Sequence, residues 1–167
     1  MALIKDGQIA QDTWRTLSDE DSVIGNGPII ISFERWRDSR DALKRHNGPL
    51  GIRMKSDQPP ALIADDIDRF DLIALEFPTL QDGRAFSYAR LLRERYGFKG
   101  DLRAVGDVYK DQLFFMQRCG FSSFELPAGR DPQDAMGALK TFSFVYAPAA
   151  DGTAPASRRR GDKPAAG

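Results

Sequence analysis

Two short stretches of this chain carry residues that could do chemistry, Asp82-Gly83-Arg84 and Gly106-Asp107. Each sets a glycine and an aspartate where a strand should give way to a helix. A helix start presents unpaired backbone N–H groups and a partial positive charge, which suits an anion. Arg84 would add a guanidinium fork. Asp82, Gly83, Arg84, Ser87 and Gly106 form the candidate anion-binding set, and six arginines lie between Arg84 and Arg118. No GxxxxGK[ST] or GxGxxG run accompanies them, so the pattern names no particular phosphate ligand.

Three carboxylates are candidates for proton transfer: Glu76, Asp107 and Asp111. Asp107 and Asp111 are spaced one helical turn apart. On one helix face they could hold Mg²⁺ or move a proton, or simply cap the helix and favour its dipole. Glu76 ends an apolar strand, so a desolvated Glu76 would need a cation such as Arg84 or Arg103. Cys119 and His46 are each the sole residue of their type. No internal disulfide, zinc cluster or supported catalytic triad can be built from them. Cys119 reads as a packed small hydrophobe.

These residues need a scaffold, and the chain supplies one. Its 167 residues, 41% hydrophobic and 29% charged, favour one globular domain. The formal net charge is zero, which gives no bulk attraction to nucleic acid or an anionic membrane. No apolar run reaches the ~18–20 residues of a membrane span. The opening MALIKDGQIAQDTW lacks the apolar region of a signal peptide, so the expected location is the cytoplasm.

Residues 1–14 read as a β-hairpin around Asp6-Gly7. Residues 15–27 read as a loop. Strands then alternate with helices: strand 28–33, helix 34–46, strand 50–54, short helix 61–69, strand 71–77, helix 84–96, strand 102–105, helix 108–119, strand 122–126, helix 132–140 and strand 141–146. This alternation predicts an α/β fold with a parallel sheet of five to six strands and flanking helices. The most apolar strands are 28–33 and 71–77, as expected for the centre of a sheet. A flavodoxin-like, Rossmann-like order 2-1-3-4-5 would place them side by side, with a partial β/α barrel as the alternative. The ligand crevice would then lie between their carboxyl ends, lined by Ser32, Glu34, Arg35 and residues 76–84, with Gly106 and Asp107 beside it. The domain spans 1–147, and 148–167 reads as a disordered tail with the basic run Arg158-Arg159-Arg160. Tyr88, Tyr109, Phe114 and Phe115 offer more apolar surface than one helix face buries, which leaves room for a partner or a homodimer.

The run FP-x3-DGR-x2-S-x-ARLLRERYGFKG-x-LRAVGDV-x2-DQL-x7-CGF-x2-FEL, from Phe77 to Leu126, resembles the DUF934 family of bacterial proteins. The opening MALIKDG and the helix containing Trp36 fit the same resemblance. The family usually has Gly-Tyr where this chain has Ala85-Phe86, and often Lys-Phe where it has Thr79-Leu80. The resemblance implies a place in assimilatory sulfite reduction, beside whose enzymes such proteins are encoded under the description of a probable oxidoreductase. It implies no reaction mechanism. The expectation is an accessory protein that binds sulfite reductase or its electron donor. The alternative is a small enzyme acting on an oxyanion or phosphorylated substrate held at helix N-termini. No haem or iron–sulfur fingerprint is present, and a flavin bound by loop backbone stays open as the cofactor.

Overall fold

The computed structural model describes residues 2–22, 25–79 and 81–142. The opening hairpin forms as expected: β1 (Ala2–Lys5) pairs antiparallel with β2 (Gln8–Ala10). Its turn holds Asp6 at φ 52° and Gly7 at φ 77°, the pair of positive φ values that a tight hairpin requires. A two-residue strand, β3 (Arg15–Thr16), lies inside the stretch expected to be loop. The parallel series follows: β4 (Ile29–Ser32), α1 (Phe33–Lys44), β5 (Leu50–Met54), a 3-10 helix (Pro60–Arg69), β6 (Leu72–Phe77), α2 (Arg84–Arg90), a π turn (Leu91–Arg95), β7 (Asp101–Gly106), α3 (Lys110–Cys119), β8 (Ser123–Leu126) and α4 (Pro132–Phe142). Thr141 and Phe142 continue α4, where a final strand was expected. The rest of that strand and the tail lie outside the described residues.

The sheet has eight strands in the order β2-β1-β8-β7-β6-β5-β4-β3, more than the sequence predicts. β3 to β8 run parallel as consecutive neighbours, and the hairpin joins antiparallel along β8. The flavodoxin-like order is therefore corrected. β5 lies between β4 and β6, and the winding does not reverse at any crevice between them. β4 reads as central because both of its faces are apolar. Both are covered although it is next to the edge, one by α1 and the other by residues of the N-terminal segment.

The sheet must curl. β2 and β3 lie at opposite ends of the order, yet Ala10 and Arg15 are only five residues apart in the chain. Five Cα steps reach at most about 18 Å, whereas a flat sheet would separate its outer strands by roughly 34 Å. The partial-barrel alternative thus fits in part. Right-handed crossovers between consecutive neighbours place the helices on the convex side. There Trp36, Ile63, Ala85, Ala89, Leu92, Leu113 and Met116 pack on Ile31, Ile52, Ile73 and Leu75 in the main core. Ala85 and Ala89 lie on the buried face of α2, and Leu113 and Met116 on that of α3.

The concave side has its own small apolar cluster, Ile30, Leu72, Ala74 and Val105, with Trp14 packed against it. Residues 11–14, between β2 and β3, thus form a strap over this face. Among the described residues no helix is long and apolar enough to cross a membrane.

Candidate functional site

Strand register decides which charged side chains meet. Ser32, Arg53, Ala74, Arg103 and Ser123 are consecutive partners across β4, β5, β6, β7 and β8. They share the concave face, because partnered residues point to the same side of a sheet. Glu76 lies two residues beyond Ala74 on that face, at the carboxyl end of β6, and Asp101 two residues before Arg103 at the amino end of β7. The concave face therefore has two polar ends.

Arg103, level with Ala74 in mid-sheet and 1% exposed, reaches toward the amino end. Its Nη1 donates to Asp12 Oδ2 of the strap at 3.2 Å, and Nε lies 3.4 Å from Ser123 Oγ. Asp101 Oδ1 accepts from Ser122 Oγ at 2.6 Å. Asp101 Oδ2 has no hydrogen-bond partner among the described residues and stands 4.0 Å from both Lys5 Nζ and Arg103 Nη2. A buried guanidinium needs these counter-charges. Nearby, Arg93 donates to Gly120 O, Phe98 O and Gly100 O at 2.8–2.9 Å, tying the turn after α2 to the end of α3.

At the carboxyl end, Arg53 Nε donates to Glu76 Oε2 at 3.2 Å. Both side chains are partly open, 36% and 28% exposed. The cation that Glu76 requires is thus Arg53, not Arg84 or Arg103. Lys55, in the loop after β5, pairs with Glu34 at the start of α1, and Gln58 donates to the same oxygen. Partial burial pushes the Glu34 carboxyl up, but its own backbone N–H and then the Lys55 and Gln58 bonds outweigh this and hold it below the usual range. The Glu34 bond holds the Lys55 ammonium above its own usual range. The charge of Glu76 adds to the effect on Lys55. Arg53, Glu76, Lys55 and Glu34 line the carboxyl mouth of the curled sheet, the end at which barrel-like β/α proteins place their active sites.

The predicted anion cradle sits beside this mouth. Arg84 Nε and Nη2 donate to the two carboxylate oxygens of Asp82 at 3.1 and 2.8 Å, and Nη2 also reaches Ser56 Oγ at 3.0 Å. The Arg84 backbone N–H donates to Asp82 Oδ1. These bonds hold the Asp82 carboxyl far below the usual carboxylate range. Asp82 is therefore an internal anion occupying the fork. Tyr88 donates to Ser56 O at 2.8 Å, which fixes the same loop from the next turn. Gly83 caps α2, and Ser87 is exposed on it.

The second junction differs from its prediction. α3 begins at Lys110, three residues beyond Asp107, and Asp107 donates its N–H to Phe77 O at 2.7 Å. Asp107 lies in the loop while Asp111 is in the first turn of α3, so they do not share a helix face. Gly106 is where a side chain would collide: its φ is +91°, and a Cβ would lie 2.5 Å from Phe77 O. Glycine lets β7 close against β6 there.

Among the described residues no group of three or more His, Cys, Asp or Glu is placed to hold a metal ion. Cys119 is buried in the core, and burial pushes its thiol pKa up. His46 is 8% exposed, with Nε2 3.1 Å from Gly27 O, a structural tie.

A family model described as a bacterial protein of unknown function, DUF934, matches residues 51–157. The chain belongs to this family. No curated protein and no solved structure matches it. The DUF934 match contains Arg53, Glu76, Asp82, Arg84 and Arg103, and leaves out the hairpin, the strap and β4. Sequence reading missed Arg53 and Lys55. The available signal was the pattern Leu50-Gly51-Ile52-Arg53-Met54, in which an apolar face alternates with one that ends in a cation.

Proposed function

We propose that this DUF934 protein is an accessory component of sulfite reduction that binds a small oxyanion at the carboxyl mouth of its curled sheet. The observation that carries this reading is the inward, partly open Arg53–Glu76 pair at the strand ends. Arg53 would hold the anion, and Glu76 would be its hydrogen-bonding or proton-transferring partner. Of the three carboxylates read as acid/base candidates, Glu76 is the one on the concave face at this mouth. Sulfite enters through the family resemblance, and the geometry supports an oxyanion in general.

Binding of the reductase or its electron donor is the second reading, favoured by the surface beside the mouth. Phe115 is 46% exposed and meets Phe86 edge-on at 4.9 Å, and Arg84 is exposed at the start of the same helix as Phe86. Aromatic and arginine side chains together are the usual anchors of protein interfaces.

The test combines genetics and calorimetry. A clean deletion should grow on cysteine and fail on sulfate and sulfite, and the purified protein should release or absorb heat with sulfite. Normal growth of the deletion on all three sulfur sources would remove the sulfite link. Absence of heat with any oxyanion would remove the site.

A further inference from the structure

The mouth pair has unequal halves left over. Its one hydrogen bond uses Nε of Arg53 and Oε2 of Glu76. A guanidinium has two more nitrogens, both donors, and an ionised carboxylate has a second oxygen that can only accept. A ligand seated against both must therefore accept hydrogen bonds on one side and donate one on the other. A fully deprotonated oxyanion satisfies Arg53 and meets Glu76 with like charge and no hydrogen to give. An oxyanion that keeps a hydroxyl satisfies both.

Resting on the oxyanion reading above, we infer that this mouth selects an oxyanion that carries a proton, and rejects one that does not. Bisulfite and hydrogen phosphate belong to the first class near neutral pH, and sulfate belongs to the second. The charges facing Glu76 agree with this choice. Arg53 is bonded to it from β5, and Lys55 on the following loop senses its charge. Lys55 is itself paired with Glu34 of α1, so the mouth has no surplus of cations that would draw in a dianion regardless of its hydrogen. Sites built to hydrogen-bond a substrate hydroxyl discriminate against analogues without one, and here the analogue would also set its negative charge against the Glu76 carboxylate with no hydrogen between them.

The experiment is titration calorimetry of the full chain at one near-neutral pH with sulfite, phosphate and sulfate as separate probes. The wild type should bind sulfite and phosphate at least about tenfold more tightly than sulfate. Glu76→Gln, whose amide can donate as well as accept, should bring sulfate to within a few-fold of the other two. Arg53→Gln should lose all three ligands. Circular dichroism of both variants checks that the fold is retained. Sulfate bound by the wild type as tightly as sulfite, or a sulfate affinity unmoved by Glu76→Gln, would overturn the selectivity while leaving the oxyanion site standing. A wild type that binds none of the probes would overturn both.

Discussion

The two ends of the concave face use the same chemistry in opposite ways. Each has an arginine and a carboxylate from neighbouring segments. At the amino end Arg103 is sealed under the strap, with Asp12 and Asp101 as fixed counter-charges. At the carboxyl end Arg53 and Glu76 stay about one-third open. A sealed charge that loses its partner has no water to replace it, so the amino-end pair is committed to holding the strap and hairpin in place. The open pair gains little from its own attraction and can exchange it for a ligand. Burial, more than residue type, separates the structural pair from the one available for function.

The sharpest way to break this comparison is to remove one arginine at a time. Arg103→Met would take from Asp12 its hydrogen-bonded cation and leave Asp101, 8% exposed, with Lys5 alone at 4.0 Å. The expected loss is about 3–5 kcal/mol in urea denaturation. Arg53→Gln should cost less than about 1 kcal/mol while abolishing oxyanion binding. Equal losses from the two variants would mean that burial does not divide them.

A second variant asks how far the structural end extends. Gly120 closes α3 at φ +117°, and a Cβ there would lie 2.5 Å from Arg93 Cγ. That side chain cannot move away without breaking its bonds to three carbonyls. Gly120→Ala should therefore destabilise by roughly 2–3 kcal/mol, with anion affinity at the mouth unchanged. A loss of affinity in a folded Gly120→Ala protein would show that the two ends are coupled.

The thiol gives a smaller test of the same core. Cys119 is buried and its ionisation is opposed by burial. It should react with a thiol reagent slowly in the native protein and rapidly in urea. Fast native labelling would mean that the convex core opens locally near the end of α3.

What the sequence made legible was local. The Asp6-Gly7 turn, the packed Cys119 and the positions of the five parallel strands follow from turn chemistry, residue type and periodicity within a few residues. The order of the strands is not local. Two apolar faces on β4 say that both are covered, and say nothing of what covers them. Here α1 covers one, and Trp14 and its neighbours help cover the other. Glu76 takes its cation from β5, a strand the flavodoxin-like order sets away from it, so neither Arg84 nor Arg103 is its partner. The shared helix face expected of Asp107 and Asp111 is absent for another reason. Gly106 and Asp107 extend the pairing of β7 with β6, which delays the helix to Lys110.

Asp82 and Arg84 separate local satisfaction from ligand binding most finely. An aspartate accepting from the backbone N–H two residues on is a common turn device, and here the same carboxylate also takes the guanidinium. Those bonds hold the Asp82 carboxyl well below its ordinary pKa of about 3.9. A carboxyl with a depressed folded-state pKa contributes its stability above the unfolded value and loses it as pH falls toward the folded one. Asp82→Asn should therefore lower Tm slightly at neutral pH. The difference should stay constant down to about pH 4–5 and shrink below that. Added sulfite or phosphate should leave it unchanged, because the clamp is closed from within. A difference that grew on acidification would contradict the direction of the shift. A difference that vanished with added anion would make this fork, and not the mouth pair, the place where the ligand competes.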